Sequence, residues 1–333
     1  MSTSRGRLIT LENFIIDTFT RVGEDGIERA VSQPDQIGGG GTYAIVGARL
    51  FLPPEKLGML VEYSPSTLDA SMRARLNAMG EDMWEYVPWP ETCRSVNRYR
   101  GQDRFFEYLT APNLHTPLSL QSTRYASPPP ALLHFITYPD RSAQILDEIR
   151  QLGWRDTQLI WEPEPHSCIP ANLEAIRDIA SEVHILSPNH TEALALLSRP
   201  LPDESATATL TACCRSLPLA RTATIIRAGA LGACYILAAE PGTVHWVPAY
   251  YSASEAEHVV DPTGAGNAFM GGLGAALYEG LDVHQAVLWG TVAASFVIQQ
   301  DGLPHFQSSD RRETWNGETG LERLEKLKAK IKT

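Results

Sequence analysis

The sequence predicts an α/β protein, with a mainly parallel central sheet, helices on both of its faces and a small β flap beside it. Three observations predict it. Short apolar runs rich in β-branched residues alternate with helix-period segments along most of the chain, as parallel strands joined by crossover helices do. The stretch "SVNRYRGQDRFFEYLT" (95–110) instead alternates with period two around a glycine-containing turn, which predicts an antiparallel hairpin. No low-complexity tract long enough to be a linker interrupts the 333 residues, so 1–333 reads as one domain, with its lid elements within 38–126.

The elements follow in order. "RLITLENFIID" (7–17) reads as one opening strand ending at Asp17. "GGGGTYAIVGARLFL" (38–52) reads as a glycine-rich loop feeding an alanine-rich helix. "ALLHFITY" (131–138) precedes a helix at 140–152, and "TQLIWEP" (157–163) precedes one near 170–181. "EVHILSPN" (182–189) leads into the helical "HTEALALLS", and "TATIIRAG" (222–229) into "LGACYILAA", read here as the next helical pattern. At the C-terminus Leu321, Leu324, Leu327 and Ile331 share one helical stripe, as in a surface helix docked on the core.

A formal charge of −11 and a pI near 5.3 argue against broad binding to nucleic acid or anionic membrane. Local backbone N–H groups can still hold a phosphorylated small ligand. Cys93, Cys168, Cys213, Cys214 and Cys234 are odd in number and lack C-x-x-C spacing, which speaks against zinc or a disulfide framework. With no apolar leader at the N-terminus, the expectation is a cytoplasmic protein.

The chemistry concentrates in "VVDPTGAGNAFMGGLGAAL" (259–277). A strand-like run brings the chain to Asp261. Gly264, Ala265 and Gly266 then let backbone approach a ligand, and the following helix aims its unpaired first-turn N–H groups and positive dipole end at the same spot. Together they form an anion hole suited to a phosphoryl group in transfer. A small-residue turn needed only for close helix–sheet packing has the same sequence. Asn189 and Glu192, in "SPNHTEA" (187–193), likewise read as an N-terminal capping box or as part of a site.

The run D-P-T-G-A-G-N-A-F resembles the C-terminal signature of the ribokinase/PfkB carbohydrate kinase family, usually D-T-x-G-A-G-D-x-F. Other segments fall in the family's order along nearly the whole chain. "GGGG" (38–41) resembles its di-glycine motif, and "CRSVNRYRGQDRFFEY" (93–108) the substrate-flap region of a fungal-type branch. "SPNHTEA" matches N-x-x-E, and "RAGALGA" (227–233) resembles the segment carrying nucleotide contacts.

The resemblance implies a ribokinase-like three-layer sandwich and ATP-dependent transfer of a phosphoryl group to a hydroxyl of a sugar-like or other small polar substrate. It implies substrate contacts from Asp17, Gly39, Gly40 and Tyr43, and a catalytic turn of Gly264, Ala265, Gly266 and Asn267. Nucleotide contacts fall to Asn189, Arg227, Gly229, Gly232 and Thr263. It also implies Mg2+ held through water by Glu192, K+ near Asp261, and a homodimer formed through the flap. Two departures stand out. Tyr43 is the nearest residue to where the family usually has a sugar-contacting Asn, which points to an atypical acceptor. Asn267 stands where the family has the Asp that takes the acceptor proton, and an amide has no useful basicity. A weaker transfer can survive on the anion hole alone. Asn267 favours a silent binding protein or an enzyme reusing the pocket for other chemistry, whereas the intact Gly-Ala-Gly turn favours anything that still binds a phosphate.

Overall fold

The computed structural model describes residues 5–23, 25–100, 103–200, 206–309 and 312–332. The first third of the chain comprises β1 (Leu8–Thr10), β2 (Ile15–Val22), β3 (Glu28–Gly38), α1 (Gly40–Arg49), β4 (Leu57–Tyr63), α2 (Ala70–Ala78), β5 (Trp84–Pro88), β6 (Arg94–Arg100) and β7 (Asp103–Tyr108). Next come β8 (Leu132–Thr137), α3 (Pro139–Gln151), β9 (Gln158–Pro163), α4 (Leu173–Ala180), β10 (Ile185–Leu186), α5 (His190–Leu196), α6 (Ala206–Ser216) and β11 (Ala223–Arg227). The chain closes with β12 (Ala233–Leu237), β13 (Val244–Val247), α7 (Ala265–Tyr278), α8 (Val283–Val297), β14 (Phe306–Ser309), β15 (Arg312–Trp315) and α9 (Gly320–Lys332).

The central sheet has nine strands in the order β13-β12-β11-β10-β9-β8-β1-β4-β5. From β11 to β5 every pairing is parallel, and β12 and β13 add an antiparallel margin. Successive side chains serve opposite faces, as a pleated strand requires. Leu132 and Ile185 pack with α1, α7 and α8, whereas Leu133 and Leu186 pack with α3 to α6. This is the α/β sandwich that the sequence predicts, with a core on each side of the sheet.

A second sheet, ordered β3-β2-β6-β7, stands beside the first, and its β6–β7 pairing is the expected antiparallel hairpin. Gly101, on which the turn of that hairpin was expected, lies outside the described residues. Half of this sheet comes from residues 15–38, upstream of the 38–126 segment in which lid elements were expected.

The opening segment accordingly departs from expectation. "RLITLENFIID" is two strands in two sheets, broken between Thr10 and Ile15, and Asp17 lies inside the second strand. Leu11, Phe14, Ile15 and Ile16 are all buried across the break, so hydrophobicity carries no trace of it. "LGACYILAA" is also corrected, from a helical pattern to the strand β12. Ala233, Cys234, Tyr235 and Ile236 are buried on both faces, and a doubly buried strand has no alternation to distinguish it from a helix. On α9, Leu324 and Leu327 are buried, but Leu321 and Ile331 are exposed. Arg323 occupies the inner face instead, its guanidinium 3.6 Å from the Phe296 ring centre and bonded to Glu318.

The contact that matters most for the site is between α1 and α7. A Cβ on Gly271 would lie 1.8 Å from the Ala44 carbonyl oxygen, and one on Gly47 2.3 Å from that of Ala268. Only glycine allows the two backbones to meet. The contact brings the N-terminal ends of both helices, residues 39–40 and 264–267, to the same edge of the sheet.

Candidate functional site

The carboxyl ends of β1, β8, β9, β10 and β11 open into one cleft of about 1730 Å³. A pocket for one drug-sized ligand spans about 300–1,000 Å³, so this space suits two ligands side by side. Asp17, Gly39, Gly40, Tyr43, Asn189, Glu192, Arg227, Gly229, Gly232 and Thr263 through Asn267 all line it. Residues almost the whole chain apart thus share one surface. Asp261 does not line it: its Oδ1 accepts a 3.0 Å hydrogen bond from the Thr263 N–H and shapes the turn from behind.

The turn is built by local necessity. Gly264 caps α7 at φ 78°, a left-handed conformation that side chains resist, and its Cα faces the Tyr43 ring. A Cβ there would sit 2.4 Å from ring carbons. Tyr43 is therefore a buried wall of the turn as well as part of the cleft surface. The Asn267 amide stands over Gly40, with Nδ2 3.2 Å from where a Cβ of Gly40 would lie.

On one side of the turn, β2 carries Asp17. Its carboxylate is buried and accepts a hydrogen bond from the Ser95 hydroxyl, its neighbour on the parallel strand β6. Phe106 and Tyr108 of β7 line the same half, their rings edge to face at 4.9 Å. In the flap, Arg94 pairs with Asp35 and Arg98 with Glu28 and Glu107, so both bridge within the second sheet.

On the other side, Asn189 caps α5 in a reciprocal capping box with Glu192. Glu192 accepts from the Asn189 backbone N–H at 2.7 Å and from its amide at 2.5 Å. Burial pushes the Glu192 carboxyl above its ordinary range, against the opposing pull of Arg227. Arg227 ends β11, pairs with Glu162 at 2.5 Å and with Glu192 at 3.7 Å, and donates to the Ser187 carbonyl at 3.0 Å. Its buried Nε has no hydrogen-bond partner among the described residues.

Sequence reasoning missed the charged floor of this cleft. Thr10 Oγ1 and His134 Nδ1 are 3.0 Å apart, and His134 Nε2 lies 2.7 Å from Glu162 Oε1. The network therefore runs from β1 through β8 and β9 to Arg227 and Glu192. Glu12, just beyond β1, was missed too. One signal could have found Glu12 and Glu162: each is a carboxylate closing an apolar strand, at the sheet edge where such folds bind ligands.

Residues 157–308 match the pfkB family carbohydrate kinase domain. An uncharacterised protein of Schizosaccharomyces pombe is 31% identical over 345 residues, covering 95% of this chain and 91% of its own. Among solved structures, a ribokinase from Giardia lamblia superposes with a TM-score of 0.68 at 16% identity, over 98% of this chain and 100% of the other. A ribokinase from Cryptococcus neoformans, solved in complex with ADP, gives 0.67 at 17% identity over 98% and 99%. The fold is ribokinase-like.

Proposed function

The chain belongs to the pfkB family of carbohydrate kinases, and on that premise we propose that it transfers the γ-phosphoryl group of ATP to a hydroxyl of a sugar-like or other small polar acceptor. The observation that carries the proposal is the single cleft, with a buried carboxylate, Asp17, in one half, Arg227 in the other and the Gly264–Asn267 turn between them.

The residues fit a nucleotide. A Cβ at Gly266 would crowd the Arg227 guanidinium, and the Nε of Arg227, without a hydrogen-bond partner among the described residues, is a donor open to an acceptor. Asn189, Arg227, Gly229, Gly232 and Thr263 would border the nucleotide, and Glu192 would hold its magnesium through water. Magnesium bound there would supply charge neutralisation for the phosphates. Asp17 and the backbone of Gly39 and Gly40 would bind the acceptor hydroxyls, with Tyr43 as a wall. The N–H groups at the start of α7 would stabilise charge on the transferring group, and Asn267 would orient the attacking hydroxyl.

Asn267 favours a second reading, a ribokinase-like protein that binds its ligands without turnover. One experiment separates the two. Purified protein with Mg-ATP is offered pentoses, hexoses, cyclitols and nucleosides, with acceptor-dependent ADP and a phosphorylated product as the expected result. Thermal stabilisation by Mg-ATP with no turnover would indicate the binder. Absence of both would overturn the family-based reading of function.

A further inference from the structure

The cleft holds several carboxylates, and most are committed. Glu162 and Glu192 are tied to Arg227, and Asp17 accepts from Ser95. Glu164 accepts from the backbone of His166 and Ser167, and Asp140 from that of Arg141 at the start of α3. Glu12 differs. Its Oε1 accepts a 2.7 Å bond from the Ile136 N–H at the end of β8, which anchors the side chain. Its Oε2 makes no hydrogen bond among the described residues, and the side chain is partly open to the cleft.

The same wall carries Asn267. The Cβ position of Gly40 is 3.3 Å from Ile136 Cδ1 and 3.2 Å from Asn267 Nδ2, and that of Gly41 is 2.6 Å from the Glu12 carbonyl oxygen. Glu12, Ile136, Gly40 and Asn267 thus follow one another along the acceptor half. Resting on the kinase reading, we propose that Glu12 is the catalytic base of this chain, doing the work that Asn267 cannot do. As the acceptor oxygen bonds to the γ-phosphorus, its proton passes to Glu12 Oε2; the bond from that phosphorus to the β–γ bridging oxygen breaks, and ADP leaves.

Its surroundings suit the task. Burial pushes the Glu12 carboxyl up to about 7, with the Ile136 N–H opposing. His134 of β8, Glu162 of β9, His115 from the segment after β7, and Tyr108 of β7 are the titratable groups around it. A base poised near neutral pH takes a proton in the transition state and returns it to solvent afterwards.

The test uses Glu12→Gln, Glu12→Asp and Glu12→Gln/Asn267→Asp, with the acceptor found in the panel above. Glu12→Gln should lower kcat by roughly 10²–10⁴, leave stabilisation by Mg-ATP unchanged, and remove the acid limb near neutral pH. Glu12→Asp should retain part of the activity, and Asn267→Asp should restore turnover to the Glu12→Gln protein. Glu12→Gln within about threefold of wild type overturns the proposal, since a working base is worth far more than that. So does a wild type that binds Mg-ATP without turnover while Asn267→Asp alone turns over. A chain that neither binds Mg-ATP nor turns over in any form would remove the kinase reading itself.

Discussion

The guanidinium of Arg227 lies against Gly266, with Nη1 2.6 Å from the point that a Cβ on that glycine would occupy. Arg227 closes a strand of the sheet, and Gly266 belongs to the first turn of α7. A fixed cation therefore sits at the anion turn, and Glu162 and Glu192 hold it there. Two carboxylates thus face one guanidinium at the edge of the turn.

Removing Arg227 tests this arrangement. Breaking a buried ion pair by deleting one partner costs about 3–5 kcal/mol. Arg227→Met should lose stability of that order at neutral pH, and with it most stabilisation by ATP. The loss should shrink on acidification. In the variant the raised Glu192 carboxyl rises further, so the native state binds more protons than the unfolded one and stability falls as pH increases. Chemical denaturation at about pH 8 and about pH 5 reads the difference, and an equal loss at both would contradict the network.

Gly264→Val should abolish ATP binding. It forces a β-branched residue into a left-handed conformation and drives a Cβ into the Tyr43 ring. Wild type at 100 times its dissociation constant should gain about 2.7 kcal/mol from ATP, and the variant none. Gly264→Ala/Tyr43→Ala should recover part of the gain by opening room beside the turn. A Gly264→Val protein with an undiminished ATP shift would show that nucleotide binds elsewhere.

Much of this site was legible in the sequence because the turn is made by local chemistry. Gly264 takes the left-handed conformation that starts its own helix, and Asn189 with Glu192 cap α5 beside them. The tight space at Gly264 and Gly266, by contrast, is set by Tyr43 and Arg227, far along the chain. What escaped was assembled by the sheet. His134, Glu162 and Arg227 meet because β8, β9 and β11 are near one another in strand order, and no spacing along the chain encodes that. The break after Thr10 was hidden in the same way. Asn13, which fills it, is satisfied by Glu62 of β4 and the carbonyl of Asn113. Its partners lie far along the chain, so a run of buried residues reads as one strand.

Glu12 has a consequence for stability that is independent of catalysis. Its folded value of about 7 lies above the ordinary 4.5, so the native state holds the proton more tightly than the unfolded chain. The stability this proton contributes is present below the unfolded value and lost as pH rises through the folded one. At pH 8 the charged carboxylate costs about 3 kcal/mol at most, less whatever cleft water recovers. Glu12→Gln should therefore match wild type near pH 4 and exceed it at about pH 8. Melting curves across that range decide it, and a variant less stable than wild type at high pH would refute the burial of charge.

Asn267→Asp restores the carboxylate that the resemblance leads one to expect at the start of α7. A negative charge there is favoured by the helix dipole, by about 0.3–1 kcal/mol, so the variant should fold at least as well as wild type. Its effect on turnover should depend on pH. Above neutrality Glu12 is already charged, and a second base adds little. As pH falls below 7 Glu12 gains its proton, whereas an Asp beside backbone N–H groups stays charged, so the advantage of the variant should widen towards the roughly 10²–10⁴ that a positioned base is worth. Opposing this, the new charge faces the γ-phosphate, and KM for ATP should rise. The measurement is kcat/KM for the acceptor between about pH 5.5 and about pH 8.5 in both forms. A gain independent of pH would mean that wild type has no base to lose, and a rise in KM with no gain in kcat would return Asn267 to the role of a binder.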